Sequence, residues 1–292
     1  MNTLTLLLMT EKGYRLLADT VDTFRDLLAK VVVGRDSALD DDYAAQTVAL
    51  CEQHGIAWTE RTQHPAIDTD YAMTVGWRWM IDFPEDRLIV FHDSLLPRYR
   101  GFNPLVSGLI NGDTQIGVTA LLGSAQYDAG PILAQASIEI AYPCTIARAI
   151  DEIAACYRAT AFDVFARLTS GTALIGVPQD EAAATYSLWR DEADYRIDWN
   201  DSAARLARIV DALGSPYAGA STLVNGVPAR IGHAEAVADV TVENRAPGKV
   251  IRIDDGLPVV VCGSGLLRIG ELTDAATGAS LLPLARFRSR FS

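Results

Sequence analysis

Cysteine is scarce in this chain and badly placed for chemistry. Cys51, Cys144, Cys156 and Cys262 lie far apart, with no C-x-x-C pair and no Cys/His cluster at metal-ligand spacing. That pattern gives no metal site and reads as buried thiols. Positive charge is also short: Lys plus Arg number 25 against 37 for Asp plus Glu, a formal net charge of −12. Such a balance disfavours a surface made for polyanions, so nucleic acid is not the expected partner. No segment reaches the length of a membrane span, and "MNTLTLLLMTEKGYRLL" lacks a basic leader and a small-residue cleavage site; a cytoplasmic protein without a membrane partner is expected. No G-x-G-x-x-G follows the first apolar run, which argues against a nicotinamide or Walker-type nucleotide site. Internal repeats and low-complexity tracts are missing too.

What remains is apolar and globular. With 292 residues, 49% of them hydrophobic, the chain can build one large core or two ordinary ones. "TLTLLLM" (3–9), "LLAKVVVG" (27–34), "YAMTVGWRWMI" (71–81) and "RLIVFH" (87–92) read as strands without polar alternation, separated by helical patterns such as 41–55. That order predicts a parallel sheet buried on both faces. "TQIGVTALL" and "GPILAQASIEI" predict a hairpin-like pair, and 145–171 a long amphipathic helix stopped by Gly171. Residues 172–185 read as a linker. Beyond it, one helical stretch and several short strands separated by Gly, Asn and Asp predict a small barrel. The expectation is α/β, a doubly wound, mostly parallel sheet over 1–185, followed by a small OB-like β-barrel over 186–292.

Histidine is rare, and one is conspicuously placed. In "VFHDSLLPRYRG" (90–101) His92 ends an apolar strand and enters a loop forced by Pro97 and Gly101. Open parallel sheets hold ligands at the carboxyl ends of their strands. A second Gly-bounded loop, "GSAQYDAGP" (123–131), carries Asp128 at the start of another strand-like run. A histidine oriented by a carboxylate is a proton shuttle near neutral pH; the plain alternative is a capping histidine and a turn aspartate.

The run from Phe91 to Gln135, with its H-x-SLLP-x-x-RG loop, "NGD", "GVT" and "DAGPIL", resembles the active-site segment of the formyltetrahydrofolate-dependent formyltransferases. "YSLWRDEADYRIDW" (186–199), "SPYAGASTLVNG" (215–226) and "APGKV" (246–250) resemble the small barrel that follows the catalytic domain in the two-domain members. The resemblance implies an amine attacking the formyl carbon of N10-formyltetrahydrofolate, with negative charge developing on the formyl oxygen. His92 matches the family's histidine and Asp128 its aspartate. The Asn of the usual N-x-H triplet is replaced by Val90, which can neither donate to an oxyanion nor carry a proton; Asn103, Ser94, a backbone N–H or a protonated His92 are the candidates to compensate.

The same resemblance implies that the folate lies against Ser94, Leu95, Leu96 and Pro97 and against Trp79, Met80 and Ile81. It implies substrate or folate-tail contacts for Arg98 and Arg100, and a substrate role for Asn103. Where the methionyl-tRNA members carry a basic insertion, "VVVGRDSALDDDYAAQ" is acidic, which favours a small-molecule amine: an amino-sugar nucleotide, or an amine on a secondary-metabolite precursor such as hydroxyornithine. The alternatives are a methionyl-tRNA formyltransferase, a folate-binding pseudoenzyme and an altered acyl transferase. No metal is expected, and a homodimer is the one oligomer entertained.

Overall fold

The computed structural model describes residues 2–37, 39 and 41–292. They fall into two compact units, the first made of the chain up to Pro104 with Gln115–Glu139 and Ile150–Leu188, the second of Leu105–Thr114, Ile140–Ala149 and Trp189–Ser292. The elements in chain order are β1 (Leu4–Leu8), α1 (Thr10–Phe24), β2 (Leu28–Val33), α2 (Ala44–Gln53), β3 (Ala57–Glu60), β4 (Tyr71–Val75), β5 (Leu88–His92), β6 (Arg100–Gly101), α3 (Pro104–Asn111), β7 (Gln115–Leu122), β8 (Ile132–Glu139), α4 (Ile146–Ser170) and β9 (Tyr186–Ser187). Then follow α5 (Ala203–Leu213), β10 (Ala220–Val224), β11 (Val227–Val237), β12 (Val250–Asp254), β13 (Leu257–Val261) and β14 (Leu266–Asp274).

The first unit is built on a seven-stranded sheet of order β3-β2-β1-β4-β5-β7-β8. Its first five strands pair in parallel and β7 and β8 add antiparallel, so the doubly wound, mostly parallel sheet read from the apolar runs is present. Strand order reverses between β1 and β4, the switch point beside which such sheets open a ligand crevice. One face carries Phe91, stacked on Tyr157 of α4 at 5.8 Å, with α1 edge-on to α4 through Phe24, Phe162 and Phe165. On the other face Leu7, Val32, Ala72 and Leu88 are covered by Ile67, Trp77, Ile81 and Phe83.

That cover explains one departure from expectation. The strand read over 71–81 stops at Val75, because the chain turns at Gly76 and lays Trp77, Ile81 and Phe83 back over the sheet. Apolar residues serve a lid as well as a strand. The segment read as a linker also has structure: Val177 exchanges two main-chain bonds of 2.8 Å with Ile132, which ties it to the start of β8.

In the second unit five antiparallel strands run in the order β10-β11-β14-β13-β12. Residues 289–292 lie between the two edges: Phe291 bridges Val224 beside one and Arg290 bridges Lys249 beside the other. The sheet thereby closes on itself, removing the open edges that invite aggregation. Gly248 permits it, since with φ +83° a side chain there would be strained, and a Cβ would stand 2.1 Å from the Phe291 carbonyl oxygen.

All four cysteines are buried free thiols. Burial pushes Cys51 up to about 11 and Cys262 up to about 12, so both stay protonated at neutral pH. No described helix is long and apolar enough to cross a membrane.

Candidate active site

His92 ends β5, only 7% exposed, at the carboxyl edge of the sheet. Its Nε2 lies 2.7 Å from the Tyr99 carbonyl oxygen. A carbonyl only accepts, so Nε2 carries the hydrogen. In the neutral ring Nδ1 is then bare, and it faces Asp128 Oδ1 at 3.5 Å. In that tautomer Nδ1 is the ring nitrogen able to accept a proton, and the Asp128 carboxylate stands beside it. The other carboxylate oxygen, Oδ2, accepts the Gly101 N–H at 2.9 Å, and Gln179 donates to the Asp128 main-chain carbonyl at 2.7 Å.

The backbone around this pair is bent to suit it. Tyr99, Asn103 and Asp128 have φ of +61°, +49° and +54°, left-handed values that are outliers for a residue as bulky as tyrosine. Gly101, at φ +101°, has room for no side chain: a Cβ would sit 2.6 Å from the Ser187 carbonyl oxygen. That close approach lets β6 pair with β9 and aims the Gly101 N–H at Asp128.

The loop after His92 is tied internally. Ser94 Oγ donates to the Arg98 carbonyl at 2.7 Å. Thr119 Oγ1 donates to the Ser94 carbonyl at 2.6 Å and accepts the Leu96 N–H and a Gln135 amide hydrogen. Ser94 and Leu96 are buried, while Leu95 and Pro97 are half-buried. On the lid, Ile81 packs over the sheet, Trp79 lies edge-on to Trp77 with the Arg61 guanidinium 3.7 Å above its ring, and Met80 is 59% exposed. Val90 packs into the same apolar cluster as Trp77 and Ile81.

Arg98 and Arg100 separate. Arg98 is exposed and lies against the Tyr99 ring. Arg100 is 1% exposed: its guanidinium makes two bonds of 2.8 Å to Glu181 and two to Gln179 Oε1. Its donors therefore serve the wall of the site, contrary to the ligand contact expected of it. Gln179, Glu181 and the Tyr99 carbonyl were not anticipated; the first two meet partners distant in sequence, and a backbone carbonyl leaves no residue-type signal.

Behind the histidine, on the opposite face, the Asp93 carboxylate is bound by the Lys12 ammonium and the Tyr157 hydroxyl. Burial opposes its charge, yet Lys12 and Tyr157 hold Asp93 below the usual carboxylate range; burial and Asp93 together push the Tyr157 hydroxyl well up. Lys12→Met is expected to cost about 3–5 kcal/mol at neutral pH, because a buried charge loses its partner. A carboxylate depressed in the fold contributes stability above its unfolded pKa, near ~3.9, and loses it as pH falls through the folded value. The gap between variant and wild type should therefore narrow in acid. Urea unfolding at neutral and acidic pH measures it, and a gap independent of pH would assign the loss to packing.

Fold and site together give an α/β protein with a histidine and a carboxylate side by side at its strand ends. Residues 70–156 match the family model described as "Formyl transferase", and 190–280 the one described as "Formyl transferase, C-terminal domain". The chain belongs to the formyl transferase family. A methionyl-tRNA formyltransferase of Roseiflexus sp. is 35% identical over 214 residues, 72% of this chain and 63% of that protein. One from Thiobacillus denitrificans is 34% identical over 208 residues, 71% and 65% of the two; the match thus spans just under two thirds of these relatives.

Among solved structures, an N-formyltransferase from Helicobacter canadensis in complex with folinic acid and dTDP-3-aminofucose superposes with a TM-score of 0.69, at 13% identity, over 92% of this chain and 99% of that one. HypX from Aquifex aeolicus with tetrahydrofolic acid gives 0.61 at 18% identity, over 94% of this chain and 44% of that one. At such identities the likeness is one of fold.

Proposed function

We propose that this protein transfers a formyl group from N10-formyltetrahydrofolate to the primary amine of a small molecule, with His92 and Asp128 as its catalytic pair. The observation that carries the reading is the His92 ring, fixed through Nε2 by the Tyr99 carbonyl so that bare Nδ1 faces the Asp128 carboxylate. Family membership supplies the kind of group moved. The donor would bring a formyl carbon made electrophilic by its attachment to a weakly basic nitrogen.

The chain's residues fit such a donor. Trp77 Nε1 is buried and bonded to none of the described residues, an orphan N–H in an apolar wall with Ile81, Phe83 and Val90. A flat heterocycle with ring acceptors suits that wall, since an unmet buried donor costs free energy. Ser94, Leu95, Leu96 and Pro97 would hold the donor on one side and Trp79 and Ile81 on the other, with Met80 at the rim. His92 Nδ1 takes a proton from the acceptor amine as the new N–C bond forms and returns one to the departing nitrogen. Asp128 holds the imidazolium meanwhile.

The acceptor is assigned from charge. Arg35 pairs with Asp42 and Glu60, and Arg78 with Asp36, so cations around the acidic segment after β2 are already neutralised; Ala38 and Asp40 of that segment lie outside the described residues. With a net charge of −12 this surface repels a polyanion. The sequence relatives favour a second reading, a methionyl-tRNA substrate. Mass-spectrometric assay with N10-formyltetrahydrofolate and a panel of amino-sugar nucleotides, hydroxyornithine and methionylated tRNA separates the two. A formylated small amine is the expected result; turnover confined to the tRNA would overturn it.

A further inference from the structure

An acyl group changing hands develops negative charge on its oxygen, and a site lowers that barrier with hydrogen-bond donors fixed in advance. The strand face carrying His92 shows where such donors stand. Side chains two apart along a strand share a face, and residues paired across a sheet share it too. Beside His92 on this face are Leu88 and Val90 of β5, Thr74 of β4 paired with Val90, and Leu121 and Thr119 of β7 paired with Val90 and His92. Three of these have no polar hydrogen, and the Thr119 hydroxyl has given its own to the Ser94 carbonyl.

Thr74 is different. It is 5% exposed, sits next to the strand end at the β1/β4 switch point, and lies on the same face as the Leu7–Ala72–Leu88 cluster that the Trp77–Phe83 lid covers. Its hydroxyl is bonded to none of the described residues, and the neighbouring Val90 side chain competes for no hydrogen bond. Adjacent strands are only about 4.8 Å apart, and Thr74 pairs with Val90, two residues from His92 on the same face.

We propose that the Thr74 hydroxyl is a catalytic residue, donating to the formyl oxygen beside His92. The inference rests on the formyl-transfer reading, and it explains how a site with Val90 next to its histidine still offers a donor to the reacting carbonyl.

The test uses the whole chain and Thr74→Val, a change that keeps shape and removes the hydroxyl. N10-formyl-5,8-dideazafolate, labelled with carbon-13 in the formyl group, is bound to each protein and its carbonyl stretch read by infrared difference spectroscopy. The band is expected at higher wavenumber in Thr74→Val than in wild type, and at the wild-type position in Thr74→Ser. Turnover should fall about tenfold to a hundredfold in Thr74→Val with the donor KM little changed, as for loss of one oxyanion donor. Introducing Val90→Asn into that variant should recover part of the loss. An unmoved band in Thr74→Val overturns the proposal, and a shift found only in Asn103→Ala would move the donor to Asn103. Absence of transfer by the wild type would sink the functional reading instead, and the band would still decide whether Thr74 touches the carbonyl.

Discussion

His92→Gln is expected to lower the rate of formyl transfer by about 10²–10⁴, the range supplied by one positioned acid–base group, with the protein folded and the donor still bound. The argument is geometric. Glutamine can give an amide hydrogen to the Tyr99 carbonyl, as His92 Nε2 does across 2.7 Å, so the site keeps its shape and loses only the Nδ1 proposed to carry the proton. Asp128→Asn should cost less: an amide can still accept the Gly101 N–H, yet it turns a donor or a neutral oxygen toward Nδ1 where a carboxylate stood, and the cation is no longer held. The double variant should be little worse than His92→Gln alone, because the carboxylate acts through the ring. Single-turnover rates on the accepted amine measure all three. Unchanged turnover in His92→Gln would remove the histidine from the chemistry and leave the binding-protein reading.

How much of this could be read from residue order depends on the distance over which each signal acts. Apolar runs announced β1, β2 and β5, because buried parallel strands need no polar alternation. The His92 and Asp128 loops were legible because strand ends and Gly-bounded turns are local features. Trp77 and Ile81 misled: as apolar residues they fit a strand as readily as the lid they form. Arg100 was legible as a charge in the right loop, but its partners Gln179 and Glu181 lie in a stretch that looks like a linker. Pairing across such a separation leaves no trace in either segment. Asp93 was visible within the loop, whereas its tie to Lys12 depends on how α1 crosses the sheet. Thr74 emerges only from the β4–β5 register, which places it beside Val90.

The closure of the second unit is the other case where sequence was silent, and it makes a stability prediction as large as any in the first. "LARFRSRFS" looks like a basic, aromatic tail, yet its Phe291 is 1% exposed and lies edge-on to Trp199 at 5.3 Å. The Phe291 N–H bonds to the Gly248 carbonyl at 2.7 Å, and the flanking Ser292 and Leu223 exchange bonds of 3.0 and 2.8 Å, so a core side chain and a missing strand are supplied by the same residues. Phe291→Ala is expected to cost about 3–5 kcal/mol, the usual range for emptying an aromatic from a core. Gly248→Ala should destabilise the same closure by a different route, since its Cβ would meet the Phe291 carbonyl while φ stays at +83°. Because both changes act on one junction, combining them should cost less than the sum of the two. Urea unfolding followed through Trp199 fluorescence tests this. Wild-type stability in either variant would mean that residues 289–292 rest against the barrel without closing it.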